Sequence, residues 1–265
     1  MRVIILLLAC LLGLTLAFGE ERQDASFELD LSGYKLTFED DFKTLDVSAW
    51  GPGTRWIAHT PWNGDFGDAA FANPAPDFPF TIQDGSLRIE ARKGSDGKWS
   101  SGLLSSTDGS GAGFAQQYGY FEIRAKLPPG PGLWPGFWLI GNKAQGGSAE
   151  IDVLEYLGHD TTKYEATVHV WPRDGMGRNY EARYPIKVPP AALVNDFHTY
   201  GVLVDAEKIV FYLDRREVAR TPTPPEHKQK LFILISLAMG SGFPIDETPS
   251  PSDMFVDYVR AYAKS

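Results

Sequence analysis

Apolar and polar residues alternate with a period of two along most of this chain. In Tyr118–Pro128, Phe121, Ile123, Ala125 and Leu127 take one side and Glu122, Arg124 and Lys126 the other. Ile209, Phe211 and Leu213 repeat the pattern before a turn at Asp214-Arg215-Arg216. Side chains of an extended strand point to opposite faces in turn, so this period predicts half-buried β-strands. The same reading gives strands at Tyr34–Glu39, Thr81–Gln83, Ser86–Arg92, Tyr164–Val170, Phe197–Val204, Leu231–Ala238 and Met254–Tyr262. Asp84-Gly85 predicts a tight hairpin between two of them. Helical periodicity is nearly absent, and Pro190–Asn195 has room for one turn. Many short strands, Gly/Pro turns and no alternation with helices predict an all-β antiparallel sandwich or jelly roll.

One segment breaks the rhythm. Gly51–Asp77 has little periodicity but is rich in Trp, Asn, Gly and Pro. A loop of that length inside a compact domain is usually functional. A mobile surface excursion is the alternative, and Trp56 and Trp62 count against it, making them candidate binding residues.

The first 19 residues change the picture of where the chain works. Arg2 supplies a positive start, Val3–Phe18 is almost unbroken apolar sequence, and small residues near Ala17 and Gly19 suit signal-peptidase cleavage. The run is short for a membrane span and is followed by Glu20-Glu21 rather than by positive charge. A signal peptide at 1–19 and a secreted or periplasmic protein are therefore expected. Cys10, the single cysteine, loosely resembles a lipoprotein box but fits better as part of the signal. The remaining chain, 20–265, shows no repeat, charge block or linker and predicts one domain. Without disulfides its stability must come from core burial, and about 245 residues suffice for that. A net charge of −9 with few Lys/Arg clusters argues against nucleic acid or an anionic membrane as partner. Aromatic residues at 13% provide ring platforms of the kind that bind neutral sugars.

The candidate chemistry lies in Ser148–Gly158, SAEIDVLEYLG, where Glu150, Asp152 and Glu155 fall within six residues. On a helix, Glu150 and Glu155 would stand about 140° apart. On a strand, Glu150 and Asp152 share a face while Ile151 and Val153 turn inward. Glu155 joins them only if one residue is inserted, which is what a β-bulge around Val153-Leu154 does. Two glutamates on one bent strand could then approach to about 5 Å, the separation at which one carboxylate attacks a sugar's anomeric carbon and the other protonates the departing oxygen. Neighbouring negative charge raises the pKa of the acid. Asp152 is placed to hydrogen-bond the nucleophile. A divalent-cation site and a solvated acidic face remain alternatives, though a regular strand frees few of the oxygens that a cation needs.

At this point the sequence resembles glycoside hydrolase family 16, in its laminarinase-type form. The resemblance rests on EIDVLEYLG after GPGLWPGFWLIG, and extends from FEDDF (Phe38–Phe42) through YGYFEIRAKLP and ATVHVW (Ala166–Trp171) to FVDYVRAY (Phe255–Tyr262). It implies a concanavalin A-like two-sheet jelly roll with an open cleft. It implies Glu150 as nucleophile, Asp152 as its assistant and Glu155 as general acid/base. Trp134 and Trp138 would line sugar subsites, with His169 facing the cleft, although core packing is the alternative for each. No cofactor is implied for catalysis. A structural calcium on the convex side, held by Asp257, is implied by the family, with a plain surface role as the alternative. Relatives often read LNLAVGG where this chain has LISLAMGS, with Ser236 and Ser241 as the departures.

The expectation is a monomeric, secreted, endo-acting, retaining hydrolase of a polysaccharide, with β-1,3 or mixed β-1,3-1,4 glucan first. Alternatives are a depolymerase of a bacterial exopolysaccharide, a transglycosylase, and a non-catalytic carbohydrate-binding protein. The paired glutamates speak against the last.

Overall fold

The computed structural model describes residues 28–62, 64–141, 148–172 and 177–265. The signal segment expected at 1–19, with Cys10, lies outside them. Among the described residues the chain forms two sheets and very little helix: one α-turn at Ala192–Asn195 and one 3-10 turn at Pro225–His227. The α-turn occupies the site expected for it. No described helix is long and apolar enough to cross a membrane.

The sheet that carries the acidic motif runs Tyr180–Lys187, Lys163–Trp171, Ser148–Glu155, Leu133–Gly141, Leu231–Met239, Leu103–Ser105, Trp56–Ile57 and Val47–Ser48, each strand beside the next. The second sheet is built around the 13-residue strand Ser252–Lys264, which pairs with Tyr34–Asp40, Gly119–Lys126 and Ser86–Lys93. The long strands are antiparallel, as their alternation predicts. Two short pairs are parallel instead, Val47–Ser48 with Trp56–Ile57 and Ala69–Phe71 with Trp99–Ser101. Both involve the irregular segment after Trp50, where non-local pairing leaves no period in the sequence.

Inward residues of both sheets meet in one core. Phe121, Ile123 and Val202 from the second sheet join Phe137, Leu139, Ile151 and Val168 from the first. All seven are fully buried, and apolar burial is the main term holding a disulfide-free domain together. The two turns read from sequence both have the positive φ that hairpin turns require: Asp84 and Gly85 at 51° and 80°, Asp214 and Arg215 at 51° and 61°. Arginine is strained in that conformation. Its guanidinium is held there by two hydrogen bonds to the carboxylate of Glu122, at 3.1 and 2.7 Å.

Candidate active site

The bulge forms where the carboxylate spacing requires it. On one side of Ser148–Glu155, Trp138 pairs with Asp152 and Phe137 with Leu154, which leaves Val153 unmatched. On the other side, Asp152 pairs with Thr167 and Glu155 with Glu165, so two residues oppose Ala166 alone. Val153 and Leu154 are both buried. The inserted residue returns Glu155 to the face of Glu150 and Asp152, and three cross-strand rows result. Ser236, Gly136, Glu155 and Glu165 make one. Leu234, Trp138, Asp152, Thr167 and Arg183 make the next. Phe232, Ile140, Glu150, His169 and Glu181 make the third.

Above these rows lies a groove of about 490 Å³ in which Glu150, Asp152, Glu155, Trp134, Trp138, Trp62 and His169 all take part. Gly136 keeps its floor open, since a Cβ there would stand 3.2 Å from the Ser236 hydroxyl. Each glutamate receives an indole hydrogen bond. Trp171 Nε1 donates to Glu150 Oε2 at 3.1 Å, and Trp134 Nε1 donates to Glu155 Oε1 at 3.0 Å. His169 Nε2 lies 3.3 Å from Asp152 Oδ2, its Nδ1 lies 3.5 Å from Glu181 Oε2, and its ring stacks on Trp171 at 4.6 Å. Below the strand, the buried His227 donates from Nε2 to the backbone carbonyl of Glu150 at 3.1 Å.

Burial and then the charge of Asp152 push the Glu150 carboxyl well above the ordinary carboxylate range, against the pull of the Trp171 donor. The same two causes raise Glu155, opposed by Arg183, Trp134 and His169. The two raised carboxyls stand on either side of Asp152 along one strand. Such a site holds a proton that carboxyl groups in water would release, and that proton is what general acid catalysis requires.

Donor atoms of Glu150, Asp152 and His169 lie within 4.8 Å of one another and could take a divalent cation. Each already has a partner in Trp171 or in another member of the trio. Asp257, expected from the family to hold a calcium, is paired here with an arginine. Its Oδ2 accepts from Arg124 Nη1 at 2.6 Å.

Trp56 does not line the groove. It is 2% exposed, packs against Phe38 and Phe42, and donates from Nε1 to Asp40. It belongs to the core and not to the groove. A tryptophan followed by Ile57 and Ala58 carries the signal of a buried strand, which its unusual surroundings obscured. Trp62 and the residues Gly64, Asp65 and Phe66 of the same segment do reach the site. Trp62 meets Trp138 edge-on at 6.1 Å, and Phe66 packs edge-on against both Trp134 and Trp138 at 5.5 and 5.8 Å. Sequence reasoning missed Phe66, Trp171, Glu181 and Arg183, all of which line the groove. Trp171 was within reach, two residues beyond His169 and on the same strand face. Glu181 and Arg183 were also within reach, since Tyr180, Tyr184 and Ile186 alternate with them and pack on the core, although Pro185 interrupts the outer strand Tyr180–Lys187.

Known proteins bear on the whole arrangement. Endo-1,3-1,4-beta-glycanase ExsH of Rhizobium meliloti (strain 1021) is 34% identical over 92% of this chain and 56% of its own length. Endo-1,3-1,4-beta-glycanase EglC of the same organism is 35% identical over 90% of this chain and 54% of its own length. The chain thus spans about half the length of these curated relatives. In fold it is similar to the laminarinase catalytic domain from Thermotoga maritima MSB8, with a TM-score of 0.68 and 24% identity over 88% of this chain and 99% of that one. The profile of glycosyl hydrolases family 16 matches residues 76–259, from before the central strands to the end of the core. The two-sheet fold and the bulged acidic strand agree with that match, and the chain belongs to glycosyl hydrolases family 16.

Proposed function

We propose that this protein is a secreted, endo-acting, retaining hydrolase of β-glucan, with β-1,3 or mixed β-1,3-1,4 linkages as its substrate class. The observation that carries this reading is the bulge at Val153-Leu154, which sets Glu150 and Glu155 on one groove floor with Asp152 between them. Glu150 attacks the anomeric carbon and Glu155 gives its proton to the glycosidic oxygen as the carbon–oxygen bond breaks. Glu155, now ionised, then takes a proton from water, which releases the sugar from Glu150. Asp152, with its Oδ2 at 3.3 Å from His169 Nε2, stands between both groups. The indoles of Trp62, Trp134 and Trp138 supply apolar faces suited to the C–H faces of pyranose rings.

The names of the relatives support a β-1,3-1,4 glycan as substrate. The sequence at 1–19 supports export, and the groove needs no partner subunit to complete it. The test is reducing-end release from laminarin, barley β-glucan and an acidic bacterial exopolysaccharide, with the first-formed anomer followed by NMR. Retained configuration and shortening of the glucans are expected. Inverted product, or binding of every polymer without cleavage of any, would overturn the proposal.

A further inference from the structure

Glu150 is gripped at both ends. Trp171 holds its carboxylate in the groove, and His227 holds its backbone carbonyl from the buried side of the strand. We propose that His227 is a positioning residue for the nucleophile, and that the short turn carrying it braces the strand beneath Glu150. This rests on the hydrolase reading above and adds to it a group that never touches the sugar.

The chemistry of the imidazole is the first support. A carbonyl oxygen only accepts, so His227 Nε2 carries the proton and Nδ1 is bare. Nδ1 is buried with no hydrogen-bond partner, and the residue as a whole is fully buried. An unpaired buried nitrogen is destabilising, and a leucine in the same space would not carry that penalty. Among the described residues, the imidazole's only hydrogen bond is the one of 3.1 Å to Glu150 O. The ring therefore costs the fold something that this bond alone offsets.

The second support is the way the turn is fixed. Pro225–His227 is a 3-10 turn, and Pro224 and Pro225 restrict φ at its start. Just before them, Thr223 N donates to Glu207 O and Thr223 Oγ1 to Asp205 O, both at 2.9 Å, which ties the turn to the second sheet. Glu226 takes a paired bond from Arg178, from Nε at 3.1 Å and from Nη2 at 3.0 Å. Gln229 donates to Glu226 O at 2.6 Å and lies against Gly141, where a Cβ would fall 2.6 Å from its Cδ. Gly141 pairs with Ala149, the residue before Glu150. The brace thus spans from one sheet to the strands on either side of the nucleophile.

The third is the place where the brace acts. The bulge at Val153-Leu154 interrupts the ladder soon after Glu150, and a bulged strand bends there. Attack on the anomeric carbon requires the carboxylate to be placed within about 0.5 Å. His227 fixes the strand ahead of the interruption, while Trp171 fixes the far end of the side chain. The same carboxylate forms the sugar ester and later releases it, so a displaced backbone slows both steps.

The experiment isolates the nucleophile. A laminaribiosyl fluoride with fluorine on the adjacent carbon captures Glu150: a carboxylate oxygen bonds the anomeric carbon and fluoride leaves, with no proton needed from Glu155. His227→Leu removes the donor and keeps an apolar group of similar bulk. Its capture rate, read by mass spectrometry, and its kcat on laminarin are expected to fall about 10-fold while KM stays within about 2-fold. His227→Gln, which keeps a donor, should recover most of both rates. Should His227→Leu not fold, His227→Asn asks the same question, because its shorter amide stops short of the carbonyl. Wild-type capture by a folded Leu or Asn variant overturns the brace alone, as does an equal loss in the Gln variant. Wild-type protein inert toward laminarin, barley β-glucan and the fluoride alike overturns the hydrolase and the brace with it.

Discussion

The indole of Trp171 donates to Glu150 Oε2 at 3.1 Å while its ring lies over that of His169, the cross-strand partner of Glu150. One side chain thereby stabilises the ionised form of the proposed nucleophile and shields the residue that holds Asp152. Trp171→Phe removes the donor and keeps the stack. The expected result is a kcat/KM lowered about 10-fold, with the acid limb of its pH profile moved to higher pH because Glu150 ionises less readily. An unmoved limb would separate Trp171 from the charge on Glu150.

Glu150 is also costly to the fold. Its carboxyl is raised in the folded protein by burial and by Asp152, so the folded state binds more protons than the unfolded one above the unfolded pKa. Stability linked to this group is present below that value and is lost as pH rises through the folded one. Glu150→Gln should therefore abolish turnover and raise the melting temperature, with a larger gain at pH 8 than at pH 4. Thermal melts of both proteins across that range provide the check.

His227 titrates in the opposite sense. It is fully buried, and burial holds its pKa down at about 4 from an ordinary 6.5. A lowered pKa gives stability that is present above 6.5 and is lost as pH falls towards 4. The span corresponds to roughly 3 kcal/mol. Replacing His227 by Gln, which can still donate to the Glu150 carbonyl, should flatten the loss of stability between pH 6.5 and pH 4 in urea titrations.

Trp56 and Trp62 make a paired test of the groove. Trp56→Ala opens a hole between Phe38 and Phe42 and should cost about 3–5 kcal/mol, with KM unchanged in the protein that remains folded. Trp62 is 46% exposed above the groove. Trp62→Ala should raise KM for glucan several-fold while the melting temperature stays within about 2 °C.

Glu122 is fully buried and is held by the guanidinium of Arg215. Arg215→Ala leaves that charge without its cation and should destabilise the protein by about 3 kcal/mol. The double variant Arg215→Ala/Glu122→Leu should recover much of the loss, as a double-mutant cycle in urea can show.

The period-two pattern by itself determined the β class, most strands of the core and the Asp84-Gly85 turn, because alternation records which face of each strand is buried. Spacing alone also located the bulge: Glu150 and Asp152 shared a face, and Glu155 could join them only through an inserted residue. The tertiary structure decided what local pattern does not encode. Trp56 and Trp62 are six residues apart in one aperiodic segment, yet one is core and the other groove wall, because only packing against Phe38, Phe42 and Trp138 distinguishes them. Glu181 and Arg183 reach the site by pairing with His169 and Thr167, on the outward face of a strand whose Tyr180, Tyr184 and Ile186 pack on the core. Asp257 pairs with Arg124, 133 residues away in sequence, a contact that local pattern does not show. Burial and charge pairing are relations between distant segments, and the fold is what brings those segments together.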